Sequence, residues 1–220
     1  MKTKFLCTAL VTLFSTALLA QEMTVTANKT TFGLRGGVNF QNINGKNGSG
    51  DKLENELMTG FHAGVTADIP VGTGSYLQPG VLYSLKGAKL HGSDTKVKIA
   101  YVEVPVNFVY KPLLGTGNML LGFGPYVAFG IGGKVDNANG ADTDIEFKNT
   151  YSTPTPNMYE FKRIDGGANF LAGYEFANKL SFQLNAQLGL TDINPKSSNN
   201  SGDKTNLRNT GWGLSVGYKF

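Results

Sequence analysis

Residues that perform covalent or metal chemistry are scarce in this sequence. One cysteine, Cys7, and two histidines, His62 and His91, occur among 220 residues. Cys7 lies inside an apolar N-terminal run without a lipoprotein signature, and reads as a small apolar side chain. The rest of the chain therefore has no disulfide and no thiol chemistry. No Ser-His-Asp spacing and no paired histidines occur, so no catalysis, metal or cofactor is expected. His62 shares a strand face with Asp68, but at strand rise the two stand roughly 20 Å apart. His62 is expected as a satisfied interior residue and His91 as a loop residue. Asp136, Asn137, Asp142, Asp144 and Glu146 miss the EF-hand pattern, with Ala138 and Ala141 where oxygen ligands belong. A solvated acidic loop is expected there, with a weak cation site as the alternative.

Long apolar runs and charge runs are missing too. After Ala20 nothing approaches about 18 consecutive apolar residues, which excludes spanning helices. Of the 20 basic residues, Lys2 and Lys4 open the chain, and the others nearly balance the 16 acidic ones. With no basic cluster, nucleic acid is not an expected partner. The glycine-rich runs at 122–133 and 211–217 lead into no helix, so a phosphate cradle is rejected.

The N-terminus reads as a secretory signal: a basic start at Lys2 and Lys4, a mostly apolar stretch over 5–20, then polar residues from Gln21. Cleavage is expected after Ala20, with Ala17 as the alternative. Residues 21–30 form a polar, aperiodic lead-in on the periplasmic side, and 31–220 form one domain.

What is abundant is glycine, 29 residues, and aromatic side chains, 11% of the chain. That composition suits an all-β protein. The last ten residues, GWGLSVGYKF, show the pattern most sharply. Trp212, Leu214, Val216, Tyr218 and Phe220 share one parity, while glycines, Ser215 and Lys219 share the other, which puts them on opposite faces of a strand. Seven earlier segments repeat the pattern, at 32–40, 61–71, 76–86, 99–111, 119–134, 164–176 and from Leu180 to Leu190. A bulge is expected at Pro105, which cannot donate to a ladder. The connections alternate long and short: 41–58, 72–75, 87–98, 114–117, 135–161, 178–179 and 194–210. This rhythm and strand length predict an eight-stranded antiparallel up-and-down transmembrane β-barrel of the smallest outer-membrane size. Lys148 is then outside the cell and Lys179 periplasmic.

A soluble lipocalin-like barrel would turn the apolar parity inward instead. Rings near the strand ends, among them Phe61, Tyr83, Tyr110, Tyr174, Phe176, Trp212 and Tyr218, favour a membrane girdle. The opposite parity carries Arg35, Lys86, Lys111 and Lys219 with Asp68, Glu103, Asp165 and Glu175, which are expected to pair across a narrow lumen. Val216 is expected near the middle of the bilayer, with Ser215 inside.

Four segments, YVEVPVNFVYKP (101–112), GFGPYVAFGIGG (122–133), DGGANFLAGYEF (165–176) and LNAQLGLTDINP (184–195), resemble the PorT-like "porin family" outer-membrane β-barrel domain. LQPGVLYSLKGAKL (77–90) is similar, with Gly80 where that family often has glutamate. The resemblance implies the outer membrane of a Gram-negative cell, and folding by the barrel assembly machinery, which reads a terminal aromatic such as Phe220. One branch of that family takes part in protein secretion. The expected role is a monomeric, lipid-embedded structural or surface-display protein with no enzymatic activity. Its long loops would bind a macromolecular partner. A narrow channel and an accessory of envelope secretion are the alternatives.

Overall fold

The computed structural model describes residues 29–138, 140–151, 159–197 and 202–220. The signal peptide, Cys7 and most of the lead-in lie outside the described residues. Eight long strands form the wall: β1 (Thr31–Lys46), β2 (Met58–Gly72), β3 (Ser75–Lys89), β4 (Lys96–Tyr110), β5 (Gly117–Asp136), β6 (Ile164–Glu175), β7 (Leu180–Gly189) and β8 (Asn206–Lys219). Each pairs antiparallel with its chain neighbours, and β8 pairs with β1, which closes the barrel. Closure satisfies every strand edge, the condition for crossing a hydrocarbon layer with strands.

The register shows how far the strands tilt. From Phe40 the cross-strand partners run through Trp212, Ala186, Phe170, Phe123, Phe108 and Leu77 to Ile69. Ile69 lies one position past the Thr31↔Asp68 pair. One circuit therefore returns roughly ten residues lower on β1, the stagger of a tilted barrel wall.

The side-chain parity decides which face is which. Phe32, Leu34, Phe61, Val65, Phe123, Phe170, Phe182, Leu184, Leu214, Val216 and Tyr218 are exposed on the outside, while Arg35, Asp68, Lys86, Glu103, Asn107, Asp165 and Asn169 are buried within. The wall is apolar and the interior polar, the inverse of a soluble barrel. Rings gather in two belts. Phe40 stacks on Trp212 and Phe61 on Tyr83 toward the long loops, while Tyr174, Phe176 and Phe182 meet edge to face toward the short turns.

Each short turn uses one residue in the left-handed region: Gly74 (φ 65°), Gly115 (φ 62°) and Lys179 (φ 68°). Lys179 is the costly choice, and the preceding Asn178 supports it by accepting the Leu180 amide at 3.2 Å.

Three expectations change. No bulge forms at Pro105; β4 keeps one register with β5 from Tyr101 to Tyr110, and the shift falls at Ala100, opposite Ile131. Pro105 is accommodated because the ladder with β3 skips from Pro79↔Val106 to Leu82↔Glu103 in unchanged register. The strands also run beyond the bilayer at the long-loop end, so the β3–β4 connection shrinks to 90–95. Finally, the β5–β6 connection is not plain loop. Thr143–Phe147 pairs with β5 and lies parallel to Tyr159–Phe161, and Thr150–Tyr151 pairs with Lys196–Ser197 from the β7–β8 connection.

Val216 sits opposite Gly36 on the lipid face, between Trp212 of the upper ring belt and Tyr218 near the short-turn end. Val216→Lys should lower folding stability by roughly 2–4 kcal/mol, the midplane cost of a lysine, whereas Val216→Leu should stay near zero. Folding titrations in lipid vesicles measure both; equal values for the two would place the site off the lipid face.

Candidate functional site

A strand barrel of this size directs every second side chain into one narrow space, so the lumen is where charged groups must meet. At the short-turn end Asp68 of β2 is the centre. Its carboxylate binds Lys111, just past β4, at 2.7 Å and Lys219 of β8 at 2.8 Å, and accepts the Gln78 amide at 2.7 Å. Lys111 also reaches Glu175 of β6 at 2.7 Å, and Lys219 donates to the Thr66 hydroxyl at 3.1 Å. One residue from each even-numbered strand or its turn thus joins a neutral four-member cluster across the lumen. None of these pairs is between adjacent strands.

A second cluster lies further up. Lys86 is fully buried, 2.7 Å from Glu103 and 3.5 Å from Asp165, with its ammonium 4.1 Å from the centre of the Tyr126 ring. Gln187 donates to Glu103 at 2.6 Å, and Asn209 to Asp165 at 3.1 Å. This cluster holds one lysine against two carboxylates. Arg35 supplies the balancing charge without touching either acid. Its guanidinium donates to Gln183 at 3.4 Å, and no carboxylate of the described residues lies within ion-pair distance. Arg35 and Glu103 instead line one enclosed cavity of about 20 Å³, shared with His62, Asn169 and Asn185. That volume holds about one water molecule.

His62 sits between the clusters as a hydrogen-bonding hub, 2.6 Å from Asn39 Oδ1 and 2.8 Å from Ser215 Oγ, and Asn185 donates to the same hydroxyl at 2.6 Å. Ser215 is thus fully engaged, and a longer side chain there would disrupt those contacts. Asn169 of β6 donates to Asn107 of β4 at 2.9 Å, across the inner face of β5.

The long-loop end of the lumen is apolar, which the alternation reading did not anticipate. Val97, Ile99 and Tyr101 point inward from β4, and pack with Ile43, Tyr126, Ala128, Val135, Ile145, Phe161 and Ile193 into a buried cluster. Phe147 and Tyr159 lie against it. Val97 and Ile99 occupy the same parity as Glu103; the signal was present, but reading 87–98 as loop left out Val97, and the strand read over 99–111 was not followed inward at Ile99. Two glycines of β5 make room for the plug. A Cβ on Gly130 would collide with the Phe147 ring, and one on Gly133 would lie 2.9 Å from Ile145 Cδ1. Arg163 stacks over Phe147, 5.1 Å from the ring centre.

The acidic loop residues do not converge. Asp136 is bonded to Lys98, Asn137 donates to Ala141 O and Thr143 Oγ1, and Glu146 is bridged to Lys148 at 2.9 Å. Among the described residues no three acidic, histidine or cysteine side chains are grouped to hold a metal. Lys148 also binds Glu160 at 2.6 Å, and these two carboxylates push its ammonium up to about 12. Lys148 is thus exposed but tied by two ion pairs into the loop layer. His91 is exposed, 4.0 Å from Glu54. Phe220 ends the wall beside Tyr218, its amide bonded to Phe32 O at 3.0 Å.

A family model described as "Outer membrane protein beta-barrel domain" matches residues 19–194. No curated protein matches the chain. Among solved structures, the chain is similar to Neisserial surface protein A, with 14% identity and a TM-score of 0.48 over 88% of this chain and 100% of that one. It is also similar to a major outer membrane protein from Thermus thermophilus, with 13% identity and a TM-score of 0.44 over 88% and 100%. A third is Ail, the attachment invasion locus protein of Yersinia pestis, solved with the heparin analogue sucrose octasulfate, at 13% identity and a TM-score of 0.41 over 87% and 99%.

The short-turn cluster yields a direct test. Asp68→Asn leaves Lys219 without a carboxylate and Lys111 with only Glu175. Stripping one partner from a buried pair should cost about 3–5 kcal/mol of folding stability. Gln78→Leu, which removes one charge-assisted hydrogen bond to the same carboxylate and leaves both lysines paired, should cost less, about 1.5–3 kcal/mol. Denaturant titrations in vesicles would read both, and a near-zero effect of Asp68→Asn would show that the lysines are solvated.

Proposed function

Because the chain belongs to the outer membrane protein beta-barrel domain family, we propose that it is a closed outer-membrane anchor whose long loops meet a macromolecular partner at the cell surface. The observation that carries this reading is the filling of the lumen. A neutral ion cluster spans one end, an apolar plug fills the other, and the cavity between them is about 20 Å³. Burying those charges is tolerable only while they stay paired, which opposes a water-filled path.

The loops support the second half of the proposal. They are tied into short strands above the plug, so they form a shaped layer. Acidic and basic side chains interleave there, as in Lys148 with Glu146 and Glu160, Lys89 with Glu56 and Asp94, and Lys162 with Asp192. Such a surface suits a partner read by shape and directional bonds better than a polyanion or nucleic acid. The reading assigns no reaction to the chain. It takes the barrel as a monomer in lipid, its terminal strand with Phe220 presented to the barrel assembly machinery. The five sequence segments that resemble the PorT-like "porin family" domain support a relation to that family.

Two experiments test it. The purified, refolded protein in a planar bilayer should give no stable conductance; single-channel steps that change on Glu103→Ala would overturn the closed lumen. Crosslinking from intact cells with an impermeant reagent should capture an external macromolecule through the loops. Recovery of envelope secretion components alone would move the chain to the secretion role.

A further inference from the structure

Among the described residues the lipid-facing wall is broken by a shallow groove at the outer rim of β3, β4 and β5, larger than the dip beside Gly36 and Ala63. Leu85, Ala100 and Gly132 are cross-strand partners in one outward row. The row shrinks from leucine to alanine to glycine, and nothing lies within 4 Å of where a Cβ on Gly132 would stand. The register shift beside Ala100 leaves Ile131 56% exposed as one bank of the dip, and Tyr83 forms its floor toward the membrane. The resulting groove is shallow and open on its lipid side, with about 710 Å³ of space along it.

The outward positions change character directly above this row. Lys98 and Lys134 are the next cross-strand pair, and Lys96 with Asp136 the one after. The apolar wall therefore ends inside the groove, and the lysines stand at the level of lipid headgroups. Lys98 is bonded to Asp136. Lys134 is exposed and has no ion pair within 4 Å among the described residues; its strand partner on the loop layer is Asp144. Three lysines against two carboxylates leave a positive rim over an apolar trough.

We propose that this groove holds one anionic membrane lipid with a phosphomonoester headgroup, its acyl chain along Ala100 and Gly132 and its phosphate on Lys134 and Lys98. A free phosphate would leave the trough uncovered, and a neutral lipid would leave Lys134 unpaired. A phosphomonoester offers enough charge to compete with Asp136 for Lys98. The proposal goes beyond the surface-anchor reading and takes from it only that the wall contacts lipid. It is tested in detergent, where neither conductance nor loop orientation enters.

Native mass spectrometry of the detergent-solubilised barrel, with dioleoyl phosphatidic acid or dioleoyl phosphatidylcholine added, counts retained lipids. One phosphatidic acid should be held several-fold more than phosphatidylcholine. The pair Lys98→Gln with Lys134→Gln should remove that excess, and Gly132→Leu, which fills the trough and keeps both lysines, should reduce it as well. Gly132→Ala, a smaller intrusion, should fall between Gly132→Leu and the native chain, and serves if the leucine variant does not refold. Equal retention of the two lipids by the native protein would overturn the proposal. So would an excess lost with the lysines but untouched at Gly132, because that is diffuse attraction without a groove.

Discussion

Unpaired backbone amides and carbonyls are intolerable in hydrocarbon, and that single constraint shapes everything else in this molecule. It forces β8 back onto β1, so no strand has a free edge. Closure in turn splits every strand into an outer and an inner parity, and eight strands leave an interior only one or two side chains wide. Once the wall is greasy, whatever is inward must find its partners inside. The lumen chemistry is therefore a consequence of closure before it is anything else.

Four cations and four anions share that interior, and their arrangement is not a uniform ladder. Asp68, Glu175, Lys111 and Lys219 make a neutral group at the short-turn end. Lys86 with Glu103 and Asp165 is left one negative charge over, which Arg35 offsets from across the cavity. The short-turn group links β2, β4, β6 and β8, strands that share no backbone hydrogen bonds with one another. It therefore forms only after closure, and adds to the closed state alone. Lys219 ties the penultimate position of the chain into it, so the strand that completes the wall also completes the charge balance.

Much of this was legible in the sequence because parity is a one-dimensional code. Trp212 to Phe220 could be assigned to a face from spacing alone, and so could Arg35 or Glu103. What parity cannot encode is depth. Val97 and Ile99 obey the inward parity but lie toward the long-loop end, where an apolar interior replaces a polar one, and flanking lysines at 96 and 98 made Val97 look like loop. The expectation at Pro105 failed for a related reason. A missing donor matters only where the ladder would use it, and the skipped positions between β3 and β4 fall there. The actual shift sits at Ile131, in a glycine run with no local mark. Arg35 was expected to pair directly; its separation from every described carboxylate depends on three-dimensional stagger that no spacing rule contains.

β5 shows how one strand serves several purposes through where its glycines fall. Gly124 is met by the β4 backbone, so the wall there has no room for a side chain. Gly130 and Gly133 admit Phe147 and Ile145, so the loop layer can seat in the outer mouth. Gly132, between them and facing outward, opens the wall to lipid. A single glycine-rich segment thereby seats the loop layer on one side and leaves a groove on the other. The two effects require opposite parities, and the extra residue at Ile131 allows Gly130 and Gly133 to share the inner face. β5 therefore shapes both the seat of the loop layer and the outer wall.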